Sequence, residues 1–338
     1  MMEELVSIII PAYQEEKRIR RCLQNILAST YQNLELVVVN DGSTDHTAQV
    51  VRNAAKENRS SFRSIELINI LHGGSGRARN CGLRKAKGRY IGFVDADDMI
   101  HPLMIEKLAQ SLRDGSEMAS CGLLFCDENG KPGFHRRHIH GERRRCPGQA
   151  LKKAMWEQIQ MSLGTVLFRR ENIIDERGEL LISCPEKTAA FEDFAFVCRY
   201  LSRCNGIWDV LPFYGYFYCK HKGSLTCGRW SAQELSYALH PVLAAGESLE
   251  DSGFICHKLQ YAFRFMAFWY VEACRSSKRE FSPHCENWRI CMQELERYAD
   301  IYMEAPEVAL HRKVAMWIVR NQPGAGRLLA KTAGRFIL

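Results

Sequence analysis

The chain has 338 residues, with 46 Lys and Arg against 39 Asp and Glu, for a formal net charge of +7. Hydrophobic residues at 46% and charged residues at 25% exclude a disordered or fibrous protein and leave room for two domains, or one large core with an appendage. No apolar run approaches the roughly 20 residues that span a bilayer, and Met1-Met2-Glu3-Glu4-Leu5 lacks the basic-then-apolar pattern of a leader; the expectation is a soluble or peripheral protein of the cytoplasm.

Residues 6–10 are a continuous apolar, β-branched run ending at Pro11, which predicts a strand buried on both faces. Residues 15–29 set Ile19, Cys22, Leu23, Ile26 and Leu27 at helical spacing. A second buried strand follows at 34–39, and Ser43-Thr44-Asp45 is the N-cap signature of a helix reaching Lys56. Then come a strand at 65–71, a loop at Gly73-Gly74-Ser75-Gly76, a helix at 77–87, a strand at 90–94 and a helix at 102–112 that starts with Pro. Such alternation implies an α/β fold with a parallel sheet, whose ligands bind at the carboxyl ends of the strands. Those ends carry Pro11-Ala12-Tyr13, Asn40-Asp41-Gly42-Ser43, the glycine loop and Asp95-Ala96-Asp97-Asp98, and all four should converge on one edge.

Beyond residue 115 the pattern changes. Strands are expected at 118–126, 163–168 and 207–218, and a helix at 191–201. Between them lies a basic segment, 131–145, with six Lys/Arg, one Glu, His135, His138 and His140, to which no role is assigned. Helices are expected at 231–249, 254–275, 283–302 and 308–320, and Pro323-Gly324 precedes a last basic helix. The 14 cysteines are irregularly spaced, without a Cys-x-x-Cys pair, and read as buried thiols rather than disulfides or a zinc site.

Three carboxylates within Asp95-Ala96-Asp97-Asp98 repel one another, and a hard divalent cation such as Mg²⁺ or Mn²⁺ is the natural counter-charge. The plain alternative is a solvated turn capping the next helix. The glycine loop, with Arg77 and Arg79 behind it, suits an anion at a helix N-terminus, although such turns are often only turns. Asp41 reads equally as an acceptor for a nucleobase N–H and as a turn residue before Gly42.

Four stretches together resemble the successive motifs of glycosyltransferase family 2: Ser7-Ile8-Ile9-Ile10-Pro11-Ala12-Tyr13-Gln14-Glu15, Val39-Asn40-Asp41-Gly42-Ser43-Thr44-Asp45, Ala78-Arg79-Asn80-Cys81-Gly82-Leu83 and Phe93-Val94-Asp95-Ala96-Asp97-Asp98. The resemblance is ordered over about residues 5–110 and looser to Thr226. It implies an inverting enzyme of the GT-A fold, with a Rossmann-like, mainly parallel sheet flanked by helices. The catalytic domain would span 1–228, a nucleotide-sugar half (1–114) and an acceptor half (115–228), before a helical region at 229–338. Pro11, Ala12, Tyr13 and Glu15 would line the nucleotide pocket, with Tyr13 against the base and Asp41 on its edge. Gly76, Arg79 and Asn80 would sit over the nucleotide, with Arg79 as the charged contact. Asp95, beside Ala96, would meet the ribose or the metal, and Asp97 would hold the metal. Asn40 departs from the family, which often has Asp there.

Phe191-Glu192-Asp193-Phe194 matches the family's later acidic pair, and the role carried over to Asp193 is general base. The alternative is that both acids only complement a helix N-terminus. Residues 216–226 resemble an aromatic, basic loop in which Lys220, His221 or Lys222 could touch the diphosphate. Arg229-Trp230 matches half of a processive-synthase signature, but Thr226 stands where Gln belongs, implying one sugar added per encounter.

The implied donor is a nucleotide-diphosphate sugar, with UDP expected, and the acceptor a glycan or lipid-linked sugar of cell-surface polysaccharide synthesis. From 308 to 338 there are six Lys/Arg and no acid, with Trp317 and Phe336 among the apolar residues. That pattern suits either a helix packed on the protein or one docked on an anionic surface, such as the inner face of the cell membrane. Nucleic acid is not expected. Two rivals are a sugar nucleotidyltransferase, which would need a glycine- and arginine-rich loop after the first strand, and an inactive sugar- or membrane-binding protein, against which Asp97 and Asp193 speak.

Overall fold

The computed structural model describes residues 3–58, 63–128, 130–136, 141–146, 162–186, 192–221 and 310–337, with single positions between 271 and 304. The chain divides into two compact units, one of residues 1–187 and 192–228 and the other of the remainder. The helices expected at 231–249, 254–275 and 283–302 lie outside the described residues except at those single positions, as do Lys222, Thr226 and Arg229-Trp230.

The first unit is built on one ten-stranded sheet. Strands β1 (Val6–Ala12), β2 (Leu34–Asp41), β3 (Arg63–Ile70) and β4 (Tyr90–Phe93) lie in the order β3-β2-β1-β4, all parallel. They alternate with α1 (Ile19–Leu27), α2 (Thr47–Glu57) and α3 (Ser75–Lys85). The four carboxyl ends therefore open on one edge. The sheet continues through β5 (Met99–Ile100), β6 (Met118–Cys126), β7 (Pro132–Arg136), β8 (Glu142–Arg145), β9 (Val166–Arg169) and β10 (Ile207–Cys219), in the order β4-β9-β6-β10-β5. Here it is mixed: β9 enters antiparallel between β4 and β6, β6 and β10 are parallel, and β5 runs against β10. β6 and β10 run in the direction of the first four, so the sheet is mainly parallel as expected, with β5, β7, β8 and β9 running against it.

Both faces of the parallel half are covered. Val6, Ile8, Ile10, Ala12, Leu36 and Val38 face Ile19, Cys22, Leu23 and Ile26 of α1, Val51 of α2, and Ile105, Leu108 and Leu112 of α4 (Met104–Arg113). The opposite face meets α3 and α5 (Glu192–Arg203), where Phe93, Phe168 and Phe196 pack edge to face. The strand expected at 163–168 opens instead with a 3₁₀ turn, Leu163–Thr165. Gly164 is needed there, because a Cβ would lie 2.4 Å from the Tyr216 ring. The basic segment supplies β7 and β8, which among the described residues pair with β6 and β10 alone, so Arg136, Arg143, Arg144 and Arg145 lie on added outer strands. Ten described cysteines are free and nine of them buried; burial pushes the Cys121 thiol up to about 12. In the second unit, α6 (Leu310–Asn321) and α7 (Pro323–Ile337) are separated only by Gln322.

Gly82 lets α3 approach β1, since a Cβ at this position would stand 2.4 Å from Ile9 Cγ2. Gly82→Ala gains about 0.5–1 kcal/mol in helix propensity, but overpacking costs about 1–3 kcal/mol. The expected net result is a lower urea midpoint with unchanged m-value.

Candidate active site

The loops that end β1 and β2 are knitted together. Gln14 takes a positive φ of 56°, unusual for a residue with a side chain, and the neighbouring loop holds it there. Its N–H donates to Ser43 Oγ (3.0 Å), and its Oε1 accepts from the Thr44 and Asp45 amides (both 3.1 Å). The Glu15 N–H donates to Thr47 Oγ1 (2.8 Å). The N-cap signature works one turn later than expected: α2 starts at Thr47, whose N–H Asp45 Oδ1 accepts at 3.0 Å. This clasp leaves Tyr13 46% exposed while Glu15 is only partly accessible.

Asp41, at the end of β2, is buried. Its Oδ1 and Oδ2 accept from the Gly73 and Gly74 amides, both at 2.8 Å, and His72 Nδ1 lies 3.0 Å from Oδ2. The His72 ring stacks on Tyr13 with centroids 4.3 Å apart. Gly42, at φ +72°, must be glycine, because a Cβ would meet the His72 amide at 2.7 Å. Asn40 binds Asn69 Oδ1 (2.9 Å) and accepts from the Ser43 amide (3.3 Å), which ties β2 to β3 and to the turn.

In the acidic turn after β4 the three carboxylates have different work. Asp98 is fully buried and accepts from Tyr216 Oη (2.6 Å) and the Cys219 amide (2.8 Å), anchoring β10. Burial first, then Asp97 and Asp95, push its carboxyl well up. Asp97 Oδ2 lies 2.7 Å from His221 Nε2. Arg18 bridges behind, with one guanidinium nitrogen 2.7 Å from Glu15 Oε2 and another 3.0 Å from His221 Nδ1. A guanidinium only donates, so Nδ1 accepts and Nε2–H points to Asp97. Glu15, Asp97 and His221 each offer one ligand atom within 4.8 Å of the others. The two carboxylate oxygens suit a hard divalent cation, whereas His221 could join them only after the Nε2 hydrogen moves to Nδ1 and the Arg18 contact at Nδ1 opens.

Arg79 lies beneath this rim and is only 4% exposed. Its guanidinium binds Asp95 Oδ1 (2.9 Å) and Glu192 Oε1 (2.8 Å), and lies 3.4 Å from Asp193 Oδ1. The sequence reading put this side chain over the nucleotide; the structure commits it to three carboxylates. Glu192 Oε1 also accepts from Ser75 Oγ (2.8 Å). Asp193 Oδ2 accepts from the Leu163 amide (3.1 Å), whereas Oδ1 has no hydrogen-bond partner among the described residues. Burial, opposed by Arg79 and assisted by Glu192 and Asp95, pushes the Asp193 carboxyl up to about 7.

Gly76 and Asn80 face the segment 183–186. A Cβ on Gly76 would meet Pro185 O at 2.0 Å, and the Asn80 side chain exchanges hydrogen bonds with the Cys184 carbonyl (2.9 Å) and amide (2.7 Å). Ala12 and Ala96 are buried under the rim and Pro11 is half-buried. The structure thus gathers Glu15, Asp95, Asp97 and Asp193 with Arg79 and, along the same edge, Tyr13 with Asp41. The sequence named His221 only as a diphosphate contact and gave no sign of Arg18 or His72. The pairing partners of all three are remote in sequence or lack any motif.

Residues 7–178, half of the chain, match the sequence model described as glycosyl transferase family 2. The chain belongs to this family. It is 34% identical over 122 residues to the glycosyltransferase YibD of Escherichia coli K12, and 37% identical over 118 residues to the glycosyltransferase GlyG of Streptococcus pneumoniae. Each match takes in 36% or less of either chain, so it spans about a third of the length of these curated relatives. The fold extends further. S. aureus TarS 1–349, solved with UDP-GlcNAc, superposes with a TM-score of 0.70 at 18% identity, over 98% of this chain and 92% of that one. The mannosyltransferase PcManGT of Pyrobaculum calidifontis, solved with GDP-Man and Mn²⁺, gives 0.57 at 18% identity, over 100% and 86%. The family member described here therefore has the GT-A fold.

Proposed function

We propose that the chain is an inverting, non-processive glycosyltransferase of the cytoplasm. It would move one sugar from a nucleotide-diphosphate sugar, with UDP as the expected nucleotide, to a glycan or lipid-linked acceptor in cell-surface polysaccharide synthesis. The observation that carries this reading is Asp193 Oδ1: a carboxylate oxygen without a hydrogen-bond partner among the described residues, beside an Arg79-braced acidic turn. UDP-GlcNAc in TarS and GDP-Man with Mn²⁺ in PcManGT support a nucleotide-sugar donor.

In this mechanism Tyr13 and Asp41 receive the base, Pro11, Ala12 and Ala96 form the floor, and Asp95 meets the ribose. Glu15 and Asp97 would hold the cation, with His221 beside them on Asp97; the chemistry a bound Mn²⁺ or Mg²⁺ would supply is neutralisation of charge on the diphosphate. Asp193 takes the proton of the acceptor hydroxyl as that oxygen bonds to the anomeric carbon, and the bond from that carbon to the diphosphate breaks on the opposite face. Arg79 acts through its neighbours: it keeps Asp95, Glu192 and Asp193 apart at fixed distances and offsets their mutual repulsion.

A panel of UDP-, GDP- and dTDP-sugars, each with and without Mn²⁺, tests the proposal by thermal melting and by release of nucleoside diphosphate. A ligand at about 100 times its Kd stabilises by about 2.7 kcal/mol. The expected result is a raised melting temperature and slow hydrolysis with UDP-sugars in the presence of Mn²⁺ only. No response to any member of the panel would sink the reading.

A further inference from the structure

Among the described residues no helix is long and apolar enough to cross a membrane. Yet α6 exposes large apolar side chains on the side away from its packing. Ala315 and Met316 are buried, whereas Leu310, Val314 and Trp317 are 76%, 49% and 53% exposed. Positions 310, 314 and 317 lie within about 60° of one another around a helix of 3.6 residues per turn. On α7, which follows after Gln322, Leu328 is 64% exposed. The backbone ladder breaks between the two helices: the Gln322 amide donates to the Ile318 carbonyl (2.9 Å) at the end of α6, and the Gly326 amide to the Gln322 carbonyl (2.8 Å) at the start of α7.

Beside this stripe, Lys313 and Arg320, seven residues apart, lie along one flank of α6, and α7 carries Arg327. Arg320 is paired with Glu296 and Asp300, at 2.7 and 2.5 Å. Both acids are well exposed, and such surface pairs are weak and exchangeable. Residues 308–338 contain six Lys/Arg and no Asp or Glu.

We propose that α6 and α7 dock on an anionic lipid bilayer, with Leu310, Val314, Trp317 and Leu328 entering the interface and the bases meeting lipid phosphate. An apolar stripe with Trp, flanked by bases, has the chemistry of an interfacial helix. The charge selects this occupant over a second copy of the chain, because a symmetric contact through the same face would bring two sets of bases together. The inference goes beyond the proposed transferase reaction and does not depend on it.

The test uses the full chain and vesicles of phosphatidylcholine, with or without about one-third phosphatidylserine. Co-sedimentation should occur with the anionic vesicles, weaken in high salt as screening shortens the reach of the charges, and be slight with neutral ones. V314D/W317D and K313E/R327E should each lower the anionic partition coefficient by about tenfold or more, with unchanged melting temperature and unchanged donor-induced stabilisation. Equal binding to both vesicle types, or binding untouched by either variant, would overturn the proposal. So would a dimer in gel filtration that V314D/W317D dissolves while vesicle binding is absent. Donor stabilisation separates this failure from failure of the transferase reading.

Discussion

Asp193→Asn is expected to lower turnover by about 10²–10⁴-fold, the range a positioned general base supplies, while donor affinity stays nearly unchanged. Asparagine keeps the shape and can still accept from the Leu163 amide through its carbonyl, but it cannot take a proton. Because the Asp193 carboxyl is pushed up to about 7, it is protonated and idle below that pH. The wild-type rate should therefore rise with pH through about 7, and the residual rate of the Asn variant should lack this limb. Steady-state rates over pH 5–9 at saturating donor, with donor Kd by calorimetry, check both statements. A variant that loses donor binding, or keeps full turnover, would assign Asp193 to holding the Leu163–Thr165 turn instead.

Asp97→Ala should abolish Mn²⁺-dependent binding of the nucleoside diphosphate and leave the fold intact. Losing an outer partner of a metal ligand already costs about 10–100-fold in affinity, so removal of a ligand itself should cost more. The fold should survive because Asp98, not Asp97, ties the acidic turn to Tyr216 and Cys219. Asp98→Ala is the contrasting variant: it leaves a buried tyrosine hydroxyl and a buried amide without their acceptor, at about 1–3 kcal/mol each, and should lower the melting temperature. Calorimetric titration of UDP with and without Mn²⁺, and thermal melts of both variants, read the two effects separately. Undiminished metal-dependent binding in Asp97→Ala would remove the cation from this place.

The legible parts of this chain are those where local sequence and tertiary role agree. β1 and β2 are apolar runs because both their faces are covered, and Pro11, Asp41 and Asp95 follow because the chain must leave the sheet there. What stayed hidden is long-range. Nothing near Arg79 says that its partners lie at Asp95 and, more than 100 residues on, at Glu192. Arg18 begins a helix and reads as an ordinary solvated base, yet it contacts His221, 203 positions away. The turn at Leu163–Thr165 departs from the expected strand through contacts the local pattern does not contain: Asp193 on the Leu163 amide and the Tyr216 ring against Gly164.

The contacts at Asp41 imitate those of a nucleobase. Two N–H groups lie on its carboxylate and a flat ring lies on Tyr13, all supplied by His72, Gly73 and Gly74. A base that approaches the same carboxylate must first evict this internal substitute, so the apparent affinity of the donor is the intrinsic affinity scaled by the fraction of molecules with the loop withdrawn. The exchange also filters. A ring with an imino N–H restores one of the two donors the loop gives up, whereas one lacking that hydrogen restores neither at the buried carboxylate. Selection among nucleotides would then arise from competition with residues 72–74, before any sugar contact is made.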